Sequence, residues 1–146
     1  MKRKTFLKIA LGLLVTGIIS AALVYHFVIN KPHRDFEKAK PSFIVSASDL
    51  FESFRADRTL AESKYNGQVV LLSGKLDMIE ASDNLVTGVF VFDEGLFGDE
   101  GVRCTMLPEH APTMKSLPIG SEVSLKGFLT GYNETDVILE HCSFVR

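Results

Sequence analysis

Apolar residues are distributed along this chain in two textures. Ile9 to Ile29 is a 21-residue run whose only clearly polar members are Thr16, Ser20 and His26. These positions leave no polar face, so a helix here has no side to turn toward water. At 1.5 Å per residue it would be about 30 Å long, matching the hydrocarbon core of a bilayer. From Phe43 the pattern becomes that of a folded domain. Leu50, Phe51, Phe54 and Ala61 recur near helical spacing, and Asn66-Gly67 closes the element. Ser46 or Ser48 is placed to cap this helix, with Asp49 and Glu52 in its first turn.

After Gly67 the period falls to two. In Gln68–Ile79, Val70, Leu72, Leu76 and Met78 share one parity with Gly74 between them, while Lys75 and Asp77 take the other. A mid-strand glycine predicts a bend there. Leu85–Phe92 is the second predicted strand, and Asp93–Gly101 reads as a glycine-rich acidic loop. Val102–Leu107 is the third strand, and Pro108 opens a short helix through Leu117. Glu122–Gly131, with Gly127 inside it, is the fourth, and Asp136–Val145 the fifth. The expected class is therefore mainly β with two helices. The order β-β-β-α-β-β, preceded by a helix and an N-terminal transmembrane helix, is that of a five-stranded OB-fold barrel. An SH3-like barrel has no natural place for the helix at 108–117.

Three segments are expected: a transmembrane signal-anchor at 1–30, a polar stalk at 31–42 carrying Pro32 and Pro41, and the OB-fold domain with its helix at 43–146. His33 in that stalk reads as part of a solvated linker. Lys2, Arg3, Lys4 and Lys8 precede the apolar run and nothing before Asp35 is acidic. The positive-inside bias then places the N-terminus in the cytoplasm and the domain across a bacterial inner membrane, in the periplasm. The alternative is secretion after cleavage near Ala22, where Ser20-Ala21-Ala22 supplies small residues.

The stretches NKPHRD, GVRCTMLPEHA, LPIGSEVSLKGFLTGYN and DVILEHCSF resemble the tRNA-anti-like OB-fold family over about residues 31–146. The resemblance implies a small, membrane-anchored or exported bacterial protein. It also implies kinship of fold with anticodon-binding domains, which does not by itself assign a function. With a bacterial source, the Asn133-Glu134-Thr135 sequon is incidental.

Candidate chemistry is sparse. No GxSxG, HExxH, CxxC or P-loop pattern occurs. Glu109 and His110 are adjacent, so on a helix they diverge by about 100° and cannot share a metal. No catalytic residue, metal or cofactor is expected, and the protein is read as a non-enzyme. The net charge of −2 conceals a split: all 18 acidic residues but only 12 of 16 basic ones lie from residue 31 onward. A domain this acidic repels phosphate, which disfavours single-stranded nucleic acid despite the fold. Cys104 and Cys142 fall on strands that neighbour each other where such a barrel closes. Either a disulfide or two buried free thiols fits.

The leading expectation is a membrane-anchored, extracytoplasmic binding module, held by residues 9–29. It would contact an envelope protein or a small envelope ligand through the face of strands two and three. Phe90, Phe92, Phe97, Arg103 and Thr105 are the expected contact residues. Single-stranded nucleic-acid binding is the second expectation, and a structural or stress-related envelope role the third. The identity and number of partners are not legible.

Overall fold

The computed structural model describes residues 2–29 and 35–145. Residues 30–34, which include His33 and much of the expected stalk, lie outside the described residues. The chain divides into two units, Met1–Arg34 and Asp35–Arg146.

In the first unit α1 runs Lys2–Val24 and a π-helical turn covers Tyr25–Ile29. It is long and apolar enough to cross a membrane. Two hydroxyls of its apolar stretch are satisfied within the helix. The Thr16 hydroxyl donates to the Gly12 carbonyl and Ser20 to that of Thr16, each at 2.9 Å. Such self-pairing suits an environment without water.

The second unit is a seven-stranded sheet with three short helices. Its elements are β1 (Phe43–Ser46), α2 (Ala47–Ala56), α3 (Arg58–Tyr65), β2 (Val69–Lys75), β3 (Met78–Ser82), β4 (Leu85–Gly95), β5 (Gly98–Met106), α4 (Ala111–Ser116), β6 (Glu122–Tyr132) and β7 (Asp136–Phe144). The pairing order is β1-β2-β6-β7-β5-β4-β3. The β1–β2 and β5–β7 pairs are parallel and the others antiparallel.

Four expectations change. Phe43–Ser46 is a strand, not a lead-in to the helix, and pairs parallel with β2. The single helix expected from Ser46 to Asn66 is two. Ser46 caps α2 by accepting from the Asp49 amide at 3.1 Å, and Asp57 caps α3 by accepting from Leu60 at 3.0 Å. A residue able to cap in mid-helix offers the backbone an alternative partner, which explains the break. The predicted first strand is also two. It breaks at Leu76-Asp77 rather than at Gly74, because the Asp77 carboxylate accepts from the Val91 amide at 2.8 Å. Gly74 instead permits close packing: a Cβ there would lie 3.0 Å from Ala47 Cβ and 3.2 Å from the Phe90 ring. Finally, the acidic stretch 93–101 is largely strand, since β4 and β5 stay paired down to Gly95 and Gly98.

Alternation places Val70, Leu72, Phe90, Val102, Leu125, Leu129, Val137 and Leu139 in one core. Helix α2 covers it with Leu50, Phe51 and Phe54, and α4 contributes Met114. Met78, expected on the buried parity, is exposed because it follows the break. Glycine is required where strands approach most closely. A Cβ on Gly101 would lie 1.8 Å from the Phe90 carbonyl oxygen, which is backbone and cannot step aside. Gly101→Ala is therefore expected to destabilise the protein by about 3 kcal/mol. Chemical denaturation of the detergent-solubilised chain measures this, and an unchanged midpoint would contradict the packing.

Candidate binding surface

The register of β4 against β5 decides which candidate residues meet. Thr87 lies opposite Thr105, Val89 opposite Arg103 and Phe90 opposite Val102. Successive side chains point to opposite faces. Arg103 and Thr105 therefore share the outer face with Thr87 and Val89, whereas Phe90 is turned into the core. The five expected contact residues do not form one site.

Phe90 is fully buried and touches no solvent. It is a core residue, and its assignment as a contact residue is corrected. Phe92 lies just before a register irregularity between Val91 and Asp93 and is 40 % exposed. Its ring stacks on Phe51 with centroids 5.6 Å apart. The Arg55 guanidinium lies 5.5 Å from the Phe51 centroid and pairs with Asp93. With Ser48, Glu52 and Ala56 these residues line a shallow cleft of about 460 Å³. The hydrogen bond from Arg55 holds the Asp93 carboxyl below its ordinary range.

On the outer face Arg103 bridges two acids. Its Nε donates to Asp136 at 3.0 Å, and its other arm pairs with Glu80. Asp136 is nearly buried and also accepts from the Gly101 amide at 3.1 Å. Its own amide donates to the Asn133 side chain at 2.7 Å. Burial opposes the charge of Arg103, but the bonds to Glu80 and Asp136 outweigh it and raise its pKa. Thr105 pairs with the Thr87 hydroxyl at 3.3 Å. Arg103 and Thr105 are thus adjacent on one surface, and Arg103 is already engaged.

Phe97 stands apart from both groups, at the tip of the β4–β5 hairpin, beside Leu96. They are 94 % and 97 % exposed. Sequence reasoning overlooked Leu96. The signal was available, since a two-residue turn holding two large apolar groups in place of the usual Asn or Gly is anomalous.

Cys104 and Cys142 are both free and buried. The disulfide alternative is not what the structure holds. Burial first, then the neighbouring Cys104, pushes the Cys142 thiol well above its ordinary pKa. Among the described residues no three His, Cys, Asp or Glu side chains converge as a metal site. The described end of the expected stalk packs on the sheet. Phe36 stacks on His141 and lies against Phe128, each at 4.7 Å, and the Glu37 carboxylate is 2.9 Å from His110 Nε2.

Two outcomes follow. Arg103→Ala leaves Asp136 buried without its cation and should cost about 2 kcal/mol of stability, measured by urea unfolding. Cys104 and Cys142 should resist iodoacetamide in the native chain at pH 8 and react only after denaturation, since both are fully buried. Rapid native labelling would show that the pair is accessible.

Comparison with known proteins adds the family. The tRNA_anti-like model matches residues 1–144. A crystal structure from Klebsiella pneumoniae, described as a "putative nucleic acid-binding lipoprotein", superposes with a TM-score of 0.53 at 17 % identity, covering 80 % of this chain and 100 % of that one. That likeness is one of fold. A "putative aspartyl-tRNA synthetase" from Leishmania major aligns with a TM-score of 0.47 at 14 % identity, over 87 % of this chain and 26 % of that one. No curated protein matches. Because the family model spans almost the whole sequence, the chain belongs to the tRNA_anti-like family.

Proposed function

We propose that this chain is a membrane-anchored OB-fold module that binds a protein partner outside the cytoplasm and performs no chemistry on it. Barrel closure is supported at Leu76-Asp77. The Leu76 amide bonds Ser121, just before β6, and the Asp77 amide bonds Val89 on β4. Strands β2 and β3 then act as the two halves of one OB-fold strand, with β6, β7, β5 and β4 between them in the pairing order. The helix α1 and the four cations at its start support an N-in anchor. Scattered titratable groups support a non-catalytic role.

The observation that carries the choice of partner is the engagement of the arginines. Arg55, Arg58 and Arg103 are all the arginines described in the second unit. Each is ion-paired, to Asp93, to Glu62 and Glu134, and to Glu80 and Asp136. A nucleic-acid groove needs cations free to displace counterions from phosphates. Here the acids outnumber the cations, and every described arginine of the second unit is held by one or two of them. The structural likeness to the Klebsiella protein favours the second reading, single-stranded nucleic acid. A titration of the full chain in detergent against labelled single-stranded DNA and RNA decides between them. No saturable binding is expected at low or moderate salt. Micromolar binding that weakens steeply with salt would overturn the proposal.

A further inference from the structure

The β4–β5 hairpin carries two features that each cost the isolated chain stability. Leu96 and Phe97 at its tip are 97 % and 94 % exposed. Below them Gly95 lies opposite Gly98, then Glu94 opposite Asp99 and Asp93 opposite Glu100. Like charges directly opposite on paired strands repel. Only Asp93 has a counter-ion, Arg55; Glu94, Asp99 and Glu100 make no ion pair among the described residues. An apolar tip thus stands on a stem of four carboxylates with one paired cation, Arg55. Beside it, a hollow of about 520 Å³ lies between the hairpin and the turn at 133–135, lined by Arg55, Leu96, Phe97, Glu100 and Glu134 among others.

We infer that this hairpin is the docking element for a protein partner that presents an apolar pocket rimmed by lysines or arginines. The inference rests on the binding-module reading above and names its surface. One occupant relieves both costs: the pocket takes Leu96 and Phe97 from water, and its rim neutralises the carboxylates below. An anionic bilayer would meet the same acids and be repelled, since surface-inserting segments carry basic residues beside their apolar ones. A second copy of the second unit has its described arginines already paired, so it would have to meet the stem with lysines alone.

The test replaces Phe97 with a photo-crosslinking benzoylphenylalanine in the full chain, in the membranes of its native cells. The same probe at Thr87 reports the outer sheet face, and at Thr113 the exposed side of α4. The Phe97 probe should give an adduct with another protein, and its cross-linked peptide should come from a segment of net positive charge. Glu94→Lys is the informative variant. It turns the repulsive pair with Asp99 into an attractive one, so the melting temperature should hold or rise. The adduct yield should nevertheless fall about tenfold, because a like charge now faces the partner's rim. An adduct with lipid, with a second copy or with an acidic segment overturns the inference, as does an unchanged yield in Glu94→Lys. Protein adducts at Thr87 or Thr113 with none at Phe97 would overturn the hairpin assignment and leave the binding-module reading standing. No protein adduct from any of the three positions would overturn both.

Discussion

Leu76 and Asp77 carry the chain from one part of the sheet to another. Up to Lys75 the strand bonds β6, and Leu76 extends this to Ser121 and Gly120. One residue later the amide bonds Val89 on β4, and the Asp77 carboxylate takes the Val91 amide as well. Buried backbone groups need partners, and here a side chain supplies one where the ladder changes hands. The register of β4 rests on this junction. The register of β4 in turn decides that Phe90 faces the core while Thr87 and Val89, opposite Thr105 and Arg103, take the other face, where Val89 is itself buried.

This explains what was legible beforehand. A period of two can be read from one strand, so β4 through β7 were located closely, with α4 between β5 and β6, while the sheet has seven strands and not five. The expected pairs Phe90 with Phe92, and Arg103 with Thr105, were each correct as parities within one strand. Which parity of one strand shares a face with which parity of the next depends on register, and register is a property of the pair. The error of joining both pairs into one surface lies there. β1 escaped because four residues carry too little pattern, and its partner lies 27 positions downstream. The split of the helix was signalled only by Asp57, whose capping role competes with ordinary helical placement.

The electrostatic reading fared differently. Net charge reads as unfavourable to phosphate, but composition cannot say which cations are ion-paired. The structure adds that arginines are spent within the second unit, fastening α2 to the hairpin, α3 to the β6–β7 turn and β5 to β3 and β7. These links are half exposed except around Asp136, so their individual contribution to stability is small. Their larger consequence is that they remove the forked donors that recognise phosphate.

A sequence selected only for stability would resolve the conflicts it could. At Arg103 it has done so: a nearly buried Asp136 meets a guanidinium, one backbone amide and a threonine hydroxyl within one cluster. At the β4–β5 hairpin, some residues along the same two strands, it has not. Carboxylate faces carboxylate twice, and two of the largest apolar side chains lie in water. A single Lys or Asn-Gly substitution would remove either defect without touching the core. A conflict that the sequence could remove and keeps is where a requirement other than folding acts on it. Along β4 the tightly packed core ends at Val91, and the paired carboxylates and the apolar tip lie beyond it.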